Sequence, residues 1–233
     1  MCWAVLLFYC LLMWSMFWCD SLRKKGSRLK ESFSKKAPPL MNILTRTSGR
    51  KSCFEKLRRS FDQQTYPRKR HLIANDREDA YVRGLSDVVS VTPETNAGKC
   101  FYNKYLNKLW KQVREGWVMF LDDDAFMFDN GFLENVANKC ATLDPKTLLV
   151  VHSYYGPHKS VLPRKLERGH IDMANICVHS SCPYRFDGNC GGDWQLVEKI
   201  LGDPSYEVVH MTRPFGVWAN YMGKANGKKL ECL

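Results

Sequence analysis

Residues 117–126 read WVMFLDDDAF. Five apolar residues, Trp117 to Leu121, run straight into Asp122, Asp123 and Asp124, and Ala125-Phe126-Met127-Phe128 follow. An uninterrupted apolar run of that length is the pattern of a central parallel strand buried on both faces. Three adjacent carboxylates repel one another and destabilise the strand end unless something neutralises them. In open α/β sheets, ligands bind just beyond the carboxyl ends of the strands. A hard divalent cation, Mn²⁺ or Mg²⁺, is the natural counter-charge, and either leaves coordination positions for phosphate oxygens. A solvated acidic turn is the plain alternative, and the apolar residues on both sides argue against it.

Outward from this strand the chain alternates. Residues 41–45 (MNILT) predict a first strand, and the polar stretch 46–51 with Gly49 a loop. Ser52 opens a helix with Glu55 three residues on as a capping box. Phe54, Leu57 and Phe61 share one face of that helix, and Tyr66-Pro67 ends it. Residues 70–75 (RHLIAN) predict a second strand with Asp76 at its end, and residues 87–91 a weaker one. Phe101, Tyr105, Leu109 and Val113, flanked by Tyr102, Leu106 and Trp110, make the apolar stripe of a helix that Gly116 stops. Further on come a helix at 132–141, a strand at 147–152, a helix at 194–201 and a last strand at 207–210. Strands alternating with helices over short links specify an open α/β sheet with helices on both faces. Gly191-Gly192-Asp193-Trp194 sets Asp193 near a helix N-cap, where a capping role alone would explain it.

The chain has 233 residues, of which 45% are hydrophobic and 25% charged. These values fit one globular domain and exclude collagen-like, coiled-coil and wholly disordered chains. Its net charge of +11 is concentrated. Residues 20–70 hold 16 Lys and Arg against 4 Asp and Glu, whereas the remainder holds 19 against 20. The basicity therefore says little about what the main body binds. Residues 2–19 are uncharged and just long enough to span a bilayer. A cleaved signal peptide fits less well, with no basic residue before the run and no small-residue cleavage site after it. Arg23, Lys24, Lys25, Arg28, Lys30, Lys35 and Lys36 all follow the run, which predicts a single-pass membrane protein with its body on the cytosolic side. The same residues would lie against anionic headgroups. The expected layout is an anchor at 1–19, a basic linker at 20–39 ending in Pro38-Pro39, and an α/β domain at 40–233. Seven of the ten cysteines lie in the body. Cys177, Cys182 and Cys190 around His179 match no zinc spacing, so free thiols are expected.

Taken in order, three stretches resemble one family: NILTRTSGRKSCFEKLRRSFDQQTY, HLIANDRED and WVMFLDDDAF. They look like family 2 glycosyltransferases, which have the nucleotide-sugar-binding glycosyltransferase A (GT-A) fold. The resemblance covers about residues 41–212. It implies a Rossmann-like open mixed sheet and a divalent-metal-dependent transferase moving a hexosyl or pentosyl group from a nucleotide-diphosphate sugar to an acceptor hydroxyl. It also implies that Thr45 and Arg46 line the nucleotide pocket, that Arg50 lies near a phosphate, and that Asp76 accepts a hydrogen bond from the base. Asp122 would contact the ribose or sugar, Asp124 would ligate Mn²⁺ or Mg²⁺ with Asp122 beside it, and Asp123 lies between them. Asp193 would be the general base of an inverting displacement. His210 would be a further metal ligand, and Trp194 would stack on the acceptor sugar together with Tyr154 and Tyr155.

Two other classes compete. A haloacid-dehalogenase-type phosphotransferase also carries Asp-x-Asp after a strand, but there the motif follows the first strand and Thr or Val stands where this chain has Phe126. A non-enzymatic membrane or nucleic-acid adaptor would use residues 20–70 and leave the carboxylates unexplained.

Overall fold

The computed structural model describes residues 37–91, 103–187, 191–213 and 216–219. Internal contacts divide the chain after Ala37, and the fold below is that of the second unit. The expected anchor at 1–19 and nearly all of the linker lie outside the described residues. Among the described residues no helix is long and apolar enough to cross a membrane.

The main elements are β1 (Met41–Thr47), α1 (Lys51–Asp62), β2 (Lys69–Asn75), β3 (Val88–Ser90), α2 (Asn103–Trp110), β4 (Trp117–Phe120), β5 (Phe126–Met127) and α3 (Phe132–Cys140). They continue through β6 (Thr147–Val151), β7 (Ser153–Tyr155), β8 (Ser160–Leu162), β9 (Ile176–His179), α4 (Gly192–Leu201), β10 (Glu207–Met211) and β11 (Val217–Ala219). A seven-stranded sheet has the order β10-β6-β9-β4-β1-β2-β3, and a second sheet the order β5-β11-β7-β8. All pairings in the large sheet are parallel except those of β9, which runs antiparallel between β4 and β6. The sheet is therefore mixed, as expected, and its one reversed strand is the third of seven, beside the central β4.

β4 faces a core on each side. Trp117, Met119 and Leu121 pack with Leu57 and Phe61 of α1 and with Phe132, Leu133, Val136 and Ala137 of α3. Val118 and Phe120 pack with Tyr105, Leu106, Leu109 and Trp110 of α2 and with Leu196, Val197 and Ile200 of α4. The alternation of side chains along a strand puts both sets out of water, which is why the run contains no polar residue. Gly116 sets the entry into β4. Its φ is +85°, and a Cβ there would lie 2.2 Å from the Leu40 carbonyl oxygen, so no other residue fits.

Helix α1 differs from its sequence reading. Its N-cap is Arg50, and no side chain caps it. The Ser52–Glu55 capping box does not form, because the N-cap lies two residues earlier, at Arg50, which is turned to the acidic triplet. The cysteines also divide. Cys140, Cys177 and Cys182 are free and buried, but Cys53 is disulfide-bonded, which corrects the free-thiol expectation at that position.

Candidate functional site

The register of β1 and β4 builds the site. Leu44 lies opposite Phe120, so the next positions along set Arg46 beside Asp122 and Thr47 beside Asp123. Arg46 forks onto Asp122, with Nε 2.9 Å from Oδ1 and Nη2 donating to Oδ2 at 3.1 Å. Its Nη1 also donates to Asn103 Oδ1 at 3.2 Å. Asn103, the buried first residue of α2, donates in turn to the Asp187 carbonyl.

Asp123 is only 1% exposed. The Thr47 hydroxyl donates to its Oδ2 at 2.9 Å, and Arg50 makes a close ion pair with its Oδ1. Arg50 Nη1 also donates to Asp124 Oδ2 at 3.1 Å. Burial pushes the Asp123 carboxyl up to about 7, with Asp122 and Asp124 adding to the rise and Arg50 opposing it. Asp124 is raised as well, by burial and then by Asp122. For Arg50 the charges of Asp123, Asp124 and Asp122 outweigh burial and raise its pKa. Two guanidiniums thus serve three carboxylates and leave negative charge over.

Asp193 is the second residue of α4, after the N-cap Gly191. Its Oδ1 accepts from the Trp194 N–H at 2.8 Å. Burial raises its pKa; the Trp194 bond opposes this, Asp122 adds to it and Arg46 offsets it. The glycine before it serves the protein, since a Cβ on Gly192 would lie 2.2 Å from Asn103 Nδ2. That pair closes α4 onto α2.

Asp172 is a member of the site that the sequence did not disclose. It caps a short turn at residues 173–175, accepting from the Ala174 N–H at 2.9 Å. Burial pushes its carboxyl up to about 7, helped by Asp122, Asp193 and Asp124. Its spacing of three to Asn175 is a capping signal, and nothing in the sequence ties it to the triplet.

Other expected residues fall in different places. Thr45 is fully buried, and its hydroxyl meets His71 Nε2 at 3.0 Å. Its side chain offers no surface to a nucleotide; β1 runs two residues further than expected, and Thr47 is the threonine at the carboxylates. Asp76 follows β2 directly, and its Oδ1 has no hydrogen-bond partner among the described residues. His210 is exposed on the edge strand β10 and contacts His152, Nδ1 to Nε2, at 3.2 Å. Two strands, β6 and β9, separate β10 from β4, which sets His210 about 14 Å from the triplet at the usual strand spacing. It is no ligand to a cation held there. Trp194 is half-buried against the core on the α2 and α4 side. Among the described residues the exposed aromatic is Phe128, 44% exposed and stacked on Tyr154 with ring centroids 5.8 Å apart.

Among the described residues no three His, Cys, Asp or Glu side chains gather to chelate a metal. A cation that takes one or two carboxylates and completes its shell with water and phosphate is compatible with this set. Asp122 Oδ1 and Asp123 Oδ1 touch guanidinium nitrogens without a well-aimed hydrogen bond, so lone pairs remain for a further ligand.

No protein-family model matches the chain, and no curated protein matches it. Solved structures do. S. aureus TarS 1–349 in complex with UDP-GlcNAc superposes with a TM-score of 0.60 at 14% identity, covering 81% of this chain and 60% of that one. A second structure of S. aureus TarS matches with a TM-score of 0.58 at 13% identity, over 77% of this chain and 36% of that one. A mannosyltransferase from Pyrobaculum calidifontis, in complex with GDP-Man and Mn²⁺, matches with a TM-score of 0.53 at 14% identity. It covers 87% of this chain and 65% of its own. The chain thus spans less than two thirds of each of these structures. The likeness defines a GT-A-like glycosyltransferase fold.

Proposed function

We propose that the chain is a glycosyltransferase that moves a sugar from a nucleotide-diphosphate sugar to an acceptor hydroxyl. One observation carries this reading. The Asp122–Asp123–Asp124 cluster, its two arginines and Asp193 converge at the carboxyl ends of β1 and β4 in a GT-A-like sheet. The structural neighbours that hold donors hold UDP-GlcNAc and GDP-Man, which favours a UDP- or GDP-linked hexose here.

In this reading Asp76 accepts from the base, Arg46 keeps Asp122 aimed at the ribose or sugar, and Asp124, with Asp122, holds Mn²⁺ or Mg²⁺. The cation supplies Lewis-acid stabilisation of the charge on the departing diphosphate. Asp193 takes the proton of the acceptor hydroxyl as that oxygen bonds to the anomeric carbon. The bond to the diphosphate breaks on the opposite face, and its electron pair leaves with the phosphate, so the anomeric configuration inverts. The raised pKa of Asp193 makes its carboxylate a stronger base than an ordinary aspartate, as proton abstraction requires. Phe128 on Tyr154 offers an apolar face to an acceptor sugar.

A thermal-shift panel on the full-length chain tests the reading with UDP, GDP, CDP, ADP, UDP-sugars and GDP-sugars, each with and without Mn²⁺. A ligand at 100 times its Kd adds about 2.7 kcal/mol. We expect a shift that needs one nucleotide and the metal together and is lost in Asp124→Asn. No shift with any pair, or an undiminished shift in the variant, sinks the proposal.

The uncharged run at residues 2–19 and the basic flank at 23–36 support a single-pass anchor. The flank favours a cytosolic body, whereas the Cys53 disulfide favours an oxidising compartment. Labelling of body cysteines in intact cells with a membrane-impermeant maleimide separates the two.

A further inference from the structure

The carboxylates of the triplet are held in two different ways. Asp122 is fixed, because Arg46 grips both its oxygens and is braced by Asn103. Asp124 is held more loosely. Its only side-chain partner among the described residues is Arg50, by one bond of 3.1 Å. The Arg50 side chain is 44% exposed, against 16% for Arg46. It reaches the triplet from the first turn of α1, which has no acidic residue and no capping side chain.

We propose that Arg50 is an exchangeable counter-ion, holding Asp124 when the site is empty and giving it up to a divalent cation when the cation arrives with a diphosphate. The proposal deepens the donor-site reading above and rests on it. A guanidinium fork fits carboxylate and phosphate equally well. Arg50 released from Asp124 therefore has a second partner at hand, the diphosphate oxygens. Asp123 stays behind as the pivot, since it is buried and tied to Thr47, and Arg50 keeps that contact in both arrangements. The cation in turn gains Asp124 as a ligand and the phosphate oxygens to fill its shell.

The exchange has a binding signature. Cation alone must take Asp124 from Arg50 with no phosphate to offer the freed arm of the guanidinium, so it binds weakly. Cation and diphosphate together satisfy all the charges, so each strengthens the other, and by thermodynamic reciprocity the two enhancements are equal. A site in which Arg50 merely lined the phosphates would show no resistance to the cation alone.

The test measures Mn²⁺ binding to the full-length chain by the paramagnetic resonance signal of free Mn²⁺, alone and with saturating UDP or GDP. In Arg50→Gln, Mn²⁺ alone should bind about tenfold tighter, a change of ~1.4 kcal/mol. The enhancement by nucleotide should fall towards one. Arg50→Lys keeps a charge but loses the fork, so it should show a smaller gain in Mn²⁺ affinity; it carries the test should the Gln variant fail to fold. If Mn²⁺ alone binds either variant no tighter than the wild type, while the wild type still binds Mn²⁺ with nucleotide, the exchange is wrong and the donor site stands. If the wild type takes up no Mn²⁺ with either nucleotide, both readings fall.

Discussion

The large sheet ends in two clusters of polar side chains, and they are unlike. At the carboxyl ends of β1 and β4, three carboxylates and two guanidiniums crowd together with Asp123 almost wholly out of water. At the carboxyl ends of β6 and β10, His152 and His210 meet each other, with His210 exposed. Burial, and then the neighbouring His210, lower the pKa of His152, and no carboxylate is paired with either ring among the described residues. Both clusters occupy the strand ends where α/β sheets bind ligands. Only the first combines burial, unbalanced charge and unaimed lone pairs. Position on the sheet is thus a necessary feature of a site in this fold, and desolvated charge is what separates a site from a surface pair.

That contrast can be broken in four places. Asp193→Asn should lower turnover by about 10²- to 10⁴-fold, the usual range for a lost general base, with donor affinity kept. Retained turnover would reduce Asp193 to a helix-start residue. Gly192→Ala presses a methyl group onto Asn103, whose amide is buried and bonded on both sides. It should cost about 1–3 kcal/mol in urea unfolding, the usual range for overpacking, and weaken nucleotide binding through Arg46; an unchanged midpoint would show the α2–α4 contact to be slack.

A third histidine sharpens the comparison further. His71 is buried against Thr45, and burial, then Arg58, hold its pKa down to about 3. Since this lies below the ordinary 6.5, the unfolded chain takes up the proton first as pH falls. Stability from His71 is whole above pH 6.5 and should drop by about 1.4 kcal/mol per pH unit below it. His71→Gln should remove that slope, and equal slopes in variant and wild type would mean that the ring is not held neutral. Last and smallest, His210→Ala should leave Mn²⁺-dependent nucleotide binding unchanged. A loss there would bring β10 back into the metal site.

Much of the scaffold was legible because its elements carry a clear period. β1, β2, β4, β6 and the four helices all fall within a few residues of where apolar spacing sets them. The strands of the small sheet are two or three residues long, too short to show any period. β9 is only Ile-Cys-Val-His, and its cysteine and histidine drew attention as metal ligands instead of strand residues. Around the triplet, Asp122 to Asp124 stood out through local pattern, and Arg46, Arg50 and Asp193 through the family resemblance. Thr47 and Asp172 did not, because their roles arise from register and from a long loop folding back. His210 misled for the converse reason: a strand end is visible in sequence, and the order of strands is not.

The reversed strand β9 bears on how the chain comes to be made. β4 is paired by β1 on one side, but its other edge is covered only when Ile176–His179 arrives. Synthesis must therefore run well past the Asp triplet before Trp117–Phe120 is closed off. At about 5–20 residues per second this takes on the order of seconds. During that interval a strand without a polar residue presents an open row of N–H and C=O groups, which invites pairing with other chains. Yield in a cell should then depend on how quickly β9 inserts, and a slowly translated stretch between residues 121 and 175 should raise aggregation without changing the finished fold.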